Sequence, residues 1–238
     1  HDRGASIQLE GTQGTLLDLH LGPYPYVTHK QTGPAQWMME AGLSPALPTD
    51  IVMVARTYPI RVAGNSGPLP LEMSWPELVR EMDAKLARLN IAPMVGELPL
   101  VMFEEAVRQA SMDFTLPPGS MGNDMHRWPE PQRLVFRRAL SEIHAEALRL
   151  LPPETVEILS RVFEMTTVTR KLRRVARLSL IDLSEAAILC RPHRVVMTFM
   201  NYVFPHLWGQ SCPVTPEETE YIHSINDHLR GSRITLIN

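Results

Sequence analysis

Cysteine is almost absent from this chain, and so are long apolar runs and strong net charge. Of 238 residues only Cys190 and Cys212 are cysteines. They stand far apart, in neither a C-x-x-C nor a Cys/His spacing, so a disulfide framework and a zinc site are both unsupported. Reduced thiols in a cytoplasmic protein are the expectation. No stretch stays apolar for the ~20 residues that a membrane-spanning helix needs. The formal net charge of −3 supplies no general attraction to nucleic acid or to a membrane surface. The histidines are scattered without H-x-x-x-H spacing, and there is no repeat or low-complexity tract. No basic-then-apolar leader is seen. The chain opens on His1 rather than Met, which suggests a cut, trimmed or longer parent chain.

Strand and helix signals alternate along the sequence. "ASIQL" is a short strand candidate, and "AQWMMEAGL" a short helix stopped by Gly42. Residues 51–62, "IVMVARTYPIRV", read as a buried strand broken near Pro59. From Ser74 the pattern turns helical. Ser74 and Glu77 make a capping box, Pro76 sits in the first turn, and Leu78, Met82, Leu86 and Leu89 recur at helical spacing. Further helices are expected around 102–110, over "PQRLVFRRALSEIHAEALRLL" and over "PETVEILSRVFEM". "DFTLPPGSMGNDMHRWPEP" reads as a loop. A basic loop, "TTVTRKLRRVARLS", follows, then a helix over "LIDLSEAAILCR" and a buried strand over "RVVMTFM". "NYVFPHLWGQSCP" reads as a loop. Thr215 caps a helix with Pro216 at its first position, and "SRITLIN" reads as a last strand.

Such alternation predicts an α/β fold. The expected form is part of a large, mostly parallel sheet with flanking helices and a helical insertion. Residues 1–72 form one α/β segment, 73–165 the helical insertion and 166–238 a second α/β segment, as one domain overall.

Three clusters could carry chemistry. The first is the loop "EGTQGTLLDLHLGPYPYVT". Small residues there let a backbone come close to something, and the Gln13 amide, beside Gly14, offers two donors and an acceptor for a lactam or amide edge. A plain glycine-rich turn with Gln13 facing water is the alternative. Thr28 is placed where its hydroxyl could help hold a phosphate. The second cluster is Thr166, Thr167, Thr169, Arg170, Lys171, Arg173, Arg174 and Arg177. Hydroxyls beside guanidinium forks suit carboxylates or phosphates. A solvated basic face is the alternative, and a nucleic-acid patch a third reading, which the lack of interleaved aromatics disfavours. The third is Asn201, delivered at the carboxyl end of the "VVMTFM" strand, where α/β sheets gather ligands. The acidic pairs Glu104-Glu105 and Glu217-Glu218 look structural or capping.

"EGTQGTLLD…YPYVT", "RTYPIRVAGNSGPLPLE", "TTVTRKLRRVAR" and "TFMNY" together resemble adenylosuccinate synthetase, over residues 7–72 and 163–205. The wording is most similar to the family's divergent phage-associated branch, which makes 2-aminoadenylosuccinate from dGMP. The resemblance implies a ligase. A purine monophosphate's 6-oxygen attacks the γ-phosphate of a nucleoside triphosphate, and aspartate's amine then displaces the phosphate.

By motif position, Gln13 is implied as the catalytic contact to the 6-oxygen. Gln13, Gly14, Thr28 and Lys171 would bind the monophosphate. Thr167, Val168, Thr169, Arg170, Lys171 and Arg173 would bind aspartate. Arg173, Phe199, Met200 and Asn201 would meet the triphosphate. The resemblance also implies Mg2+, with ligands outside this chain, and a homodimer. The family's phosphate loop and its catalytic Asp and His belong to a half that precedes the opening motif, so a separate amino-terminal half is a further expected partner. The chain alone is then expected to be inactive; a degenerate, non-catalytic purine-nucleotide-binding or interaction module is the other reading.

The chain departs from the family pattern at three places. Lys171 stands where the family has Arg, and Ala176-Arg177-Leu178-Ser179 replaces Gly-Trp-x-Asp. Asn201 replaces the base-reading Asp. A carboxylate accepts from both donors of guanine, whereas Asn matches the donor/acceptor edge of adenine. ATP is therefore expected over GTP.

Overall fold

The computed structural model describes residues 6–47, 49–112, 130–167, 171–208, 215–229 and 233–236. The chain forms two compact units, one from His1–Ala55, Ser179–Thr198 and Val214–Ile237, the other chiefly from Arg56–Leu178 and Phe199–Pro213. Each unit draws on more than one of the segments 1–72, 73–165 and 166–238. The elements in chain order are α1 (Pro34–Glu40), β1 (Val52–Arg56), β2 (Ile60–Arg61), β3 (Glu72–Met73), α2 (Trp75–Arg88), α3 (Glu97–Met112) and α4 (Glu130–Leu150). They continue with α5 (Pro153–Ser160), β4 (Arg174–Ala176), α6 (Leu180–Cys190), β5 (Arg194–Thr198), α7 (Met200–Val203), α8 (Pro216–Asn226) and β6 (Arg233–Leu236).

The first unit is built on a sheet of order β1-β5-β6. β5 and β6 run parallel, with Arg194 opposite Arg233 and Met197 opposite Leu236. This is the expected α/β arrangement. β5 is the strand that reads as buried, and Val195, Val196 and Met197 are buried. β1 is half exposed: Val54 is 65 % exposed. Its unbroken apolar run reads as burial on both faces, yet β1 lies at the end of the sheet order. The expected strand over "ASIQL" is absent from its described residues. Residues 6–10 are irregular, and Ile7 is 53 % exposed. Strand propensity is weak where no neighbouring strand supplies the ladder. Ser179 caps α6 by accepting from the Asp182 amide at 3.2 Å, and Arg191 ends it in a left-handed conformation. Thr215 and Glu218 close a reciprocal capping box on α8.

The second unit holds an antiparallel sheet of order β2-β4-β3, with Ile60 opposite Val175 and Met73 opposite Val175 on the other side. Three residues of the expected basic loop, Arg174–Ala176, are therefore β4, and all three are buried. The strand 51–62 does break before Ile60, giving β1 and β2. Ser74 and Glu77 form the capping box that starts α2. Helices α2 to α5 occupy the stretch that reads as helical; of the expected loop 113–131, residues 113–129 lie outside the described residues, and Glu130 and Pro131 open α4 instead. Trp75, Leu78, Met82, Leu100, Phe103, Leu159 and Phe163 are buried together. Each such side chain contributes ~1.5–3 kcal/mol of burial. Rings order this core: Phe163 lies 5.4 Å from Trp75 and 5.1 Å from Phe103 between centroids. Cys190 is a free, half-buried thiol, and Cys212 lies outside the described residues.

Candidate functional site

In the first unit, the loop from Gly11 to Thr32 is organised around one carboxylate. Asp18 is only 2 % exposed and accepts from the amides of Thr32 at 2.6 Å, His20 at 2.9 Å and Leu21 at 3.2 Å. The Thr32 hydroxyl adds a contact at 3.4 Å. Burial pushes the Asp18 carboxyl up, but these donors outweigh it and hold it below the ordinary carboxylate value. A fold this tight explains two of the glycines. A Cβ on Gly22 would lie 2.7 Å from the Asp18 carbonyl and from Val27 Cγ1, and one on Gly11 would lie 2.7 Å from Trp37 Nε1.

Gly14 is different. Its backbone is extended, and a Cβ there would meet nothing within 4 Å. The side of the loop beside Gln13 is thus open. Gln13 itself is exposed, with φ 65°, and its side-chain oxygen accepts from the Thr12 hydroxyl at 3.1 Å. The left-handed backbone costs a non-glycine residue roughly 1–2 kcal/mol. Thr28 is half-buried, and its amide donates to the Leu17 carbonyl at 2.7 Å. Gln13, Gly14 and Thr28 therefore share one loop.

In the second unit, the threonine/arginine run is a hairpin closed by a bridge between Met165 and Leu172. The Thr166 amide donates to the Lys171 carbonyl at 2.8 Å, and the Lys171 amide to the Thr166 hydroxyl at 2.9 Å. Thr167 and Lys171 are exposed at its tip; Val168, Thr169 and Arg170 lie outside the described residues. Arg173 is pinned by its backbone: its amide donates to the Glu164 carbonyl at 2.8 Å, and its carbonyl accepts from Trp75 Nε1 at 2.6 Å. Two other arginines of the run are engaged. Arg174 is buried and grips Glu72 with two nitrogens, at 2.8 and 2.6 Å, while also donating to the Gly67 carbonyl and the Ser66 hydroxyl. Arg177 pairs with Glu81. Strand pairing points Arg174 inward, so the reading of the whole run as one ligand-facing or solvated surface is corrected there.

The same unit contains Phe199, Met200 and Asn201. Asn201 was expected at the end of a strand. The strand stops at Thr198, Phe199 takes a left-handed conformation (φ 60°, ψ 37°), and Asn201 lies half-buried in the first turn of α7. The expected loop after it begins as helix because the left-handed residue turns the chain straight into a new hydrogen-bonded turn. Met200 is fully buried. The Phe199 ring carries the Arg56 guanidinium 3.4 Å from its centroid and stacks on Tyr202 at 5.9 Å. Arg56 also pairs with Glu164 and donates to the Tyr58 carbonyl at 3.1 Å. The Tyr202 hydroxyl reaches the Val162 carbonyl at 2.9 Å and Glu164 at 3.3 Å. Burial, with Glu164 adding to it, pushes the Tyr202 hydroxyl well up, so it stays a donor. Burial pulls the Arg56 guanidinium down against the opposing pull of Glu164.

Arg56, Thr57 and Glu164 were missed in the sequence. Thr57 is 142 positions from its partner and Glu164 108 positions from its own, and no local spacing in the sequence links the members of either pair.

Among the described residues no group of three or more His, Cys, Asp or Glu could hold a metal ion. Among the same residues no helix is long and apolar enough to cross a membrane.

Known proteins match this arrangement in part. Adenylosuccinate synthetase from Methanocaldococcus jannaschii is 45% identical over 76 residues, which is 32% of this chain and 21% of that protein. The Thermococcus sibiricus enzyme is 40% identical over 79 residues, 33% of this chain and 23% of that protein. These matches span about a fifth of the curated relatives' length. Among solved structures, the cyanophage S-2L succinoaminodeoxyadenylate synthetase, bound to dGMP and to dATP as an energy donor, is similar at 20% identity. Its TM-score is 0.45, over 94% of this chain and 41% of that one. The adenylosuccinate synthetase family model matches residues 1–203, most of the sequence, and the chain belongs to that family.

Proposed function

We propose that this chain supplies the purine monophosphate and aspartate contacts of a ligase that joins aspartate to C6 of a purine nucleotide. The purine 6-oxygen, as N1 gives up its proton, takes the γ-phosphoryl group of a nucleoside triphosphate, and the nucleoside diphosphate leaves. The aspartate amine then forms the C6–N bond, loses a proton, and phosphate departs with the former 6-oxygen. Gln13 donates to that oxygen as negative charge builds on it, the kind of fixed polar contact that lowers such barriers. Thr28 holds the monophosphate. The hairpin tip at Thr167 and Lys171, with Arg173 at its base, receives the aspartate carboxylates. Phe199 to Asn201 meet the base of the triphosphate, and Asn201 favours adenine over guanine because it offers one donor and one acceptor. Mg2+ accompanies the triphosphate in this reading. A homodimer belongs to the same reading, and sedimentation velocity checks it.

The observation that carries the proposal is the loop of the first unit. It is tightly braced by Asp18, yet it is open beside Gly14 and holds Gln13 exposed in a strained backbone. Strain of this kind clusters at ligand sites. Calorimetric titration with IMP and with dGMP tests it. Gln13→Ala is expected to weaken binding by roughly 10-fold, the loss of about one good hydrogen bond. An unchanged affinity in that variant, or no uptake of either nucleotide by the parent chain, refutes it.

A further inference from the structure

The turn that carries Asn201 is held from outside its own sequence. Phe199 is left-handed, which an L-residue with a large side chain adopts only when its surroundings demand it. Two groups make that demand. The Thr57 hydroxyl donates to the Phe199 carbonyl at 2.6 Å, and the Arg56 guanidinium carbon lies over the Phe199 ring, 3.4 Å from its centroid. Thr57 is buried, so that hydroxyl has no exchange with bulk water to fall back on. Arg56 is fixed in turn by Glu164 and by the Tyr58 carbonyl. The neighbouring Met200 is fully buried, which leaves Asn201 as the next side chain able to face a ligand.

We infer that Thr57 is a positioning residue for nucleobase selection: it sets the left-handed turn at Phe199 and thereby aims Asn201. The inference rests on the proposed role of Phe199 to Asn201 at the triphosphate's base. A hydrogen bond between Asn201 and a base edge is directional, so a turn free to relax would blunt the distinction between bases more than it would lower general affinity. Arg56 holds the ring of the same residue, while Thr57 holds its backbone.

The test compares the parent chain with Thr57→Val, which keeps the shape and removes the hydroxyl, and with Thr57→Ser, which keeps the hydroxyl. Thr57→Ala, which cannot crowd the site, guards against a packing artefact in the valine variant. ATP, GTP and a purine monophosphate (IMP or dGMP, whichever the parent chain binds) are titrated against each. The expected result is a loss of ATP affinity on the order of 10-fold in the valine and alanine variants. The ATP-to-GTP preference collapses with it, monophosphate affinity stays within about twofold of the parent's, and the serine variant behaves as the parent. A merely structural role would weaken the monophosphate in step, and that result overturns the inference. So does an unchanged ATP-to-GTP ratio in the valine and alanine variants. If the parent chain binds the monophosphate but neither triphosphate, the triphosphate assignment itself falls, and the positioning role falls with it.

Discussion

His144 offers a sharp test of the helical packing in the second unit. It sits on α4, is buried, and lies 5.6 Å from the Phe103 ring between centroids. Burial alone pushes its imidazole down to about 4 from an ordinary 6.5. The sign follows from proton counts. Between these two values the unfolded chain binds a proton at His144 that the folded chain refuses. Stability from this group is therefore complete above pH ~6.5 and is lost progressively as pH falls toward ~4. A gap of 2.5 units at ~1.36 kcal/mol per unit gives a full loss of about 3 kcal/mol, and about 2 kcal/mol by pH 5. The perturbation is His144→Leu, which keeps an apolar side chain of similar bulk without the titrating ring. Urea unfolding is followed by tryptophan fluorescence at pH 7.5 and pH 5.0. The parent chain is expected to lose ~2 kcal/mol more than the leucine variant between these conditions, since all other histidines are common to both. Equal pH sensitivity in the two proteins would refute the claim that His144 is buried uncharged.

Three further outcomes are expected. Arg174→Met removes one partner of a buried, bidentate pair and leaves Glu72, among the described residues, with Arg137 at 3.5 Å. A loss of ~3–5 kcal/mol in chemical denaturation is expected, and a loss below ~1 kcal/mol would show the pair to be solvated. Gly22→Ala drives a Cβ to 2.7 Å from backbone and Val27, whereas Gly14→Ala meets nothing within 4 Å. The first is expected to cost ~1–3 kcal/mol of stability and the second little, while only the second weakens purine monophosphate binding in a protein that remains fully folded. Asn201→Asp is expected to raise GTP affinity relative to ATP, as a carboxylate accepts from both guanine donors; titration showing no change in the ratio contradicts the adenine assignment.

Much of this was legible in the sequence where the physics is local. The capping boxes at Ser74 and Thr215 involve residues three positions apart, and both starts stand where those residues place them. The break before Ile60 follows from Pro59, which lacks the amide a ladder needs. The glycine-rich loop was identifiable from composition. That composition does not separate Gly22, which is crowded, from Gly14, which is open; the Asp18 and Leu16 carbonyls and Val27 close on Gly22, and nothing closes on Gly14.

Errors arose where a residue's neighbours are distant in the chain. The described residues of "ASIQL" read as strand-forming, yet none of the described strands pairs with them. Arg174 looks like one more surface charge until strand pairing turns it toward Glu72, 102 positions away. Asn201 reads as the end of a strand because nothing in "TFMNY" announces that Phe199 will turn left-handed.

By itself the sequence determined most of the helices, the helix starts at Ser74 and Thr215, the glycine-rich loop and the family. Periodicity, caps and motif spacing are properties of neighbouring residues. Only the tertiary structure decided which charges are buried and paired, which glycine leaves room beside it, and that Thr57 holds the turn before Asn201. Those depend on hydrogen bonds and close packing between segments a hundred residues apart, and such contacts leave no local pattern to read.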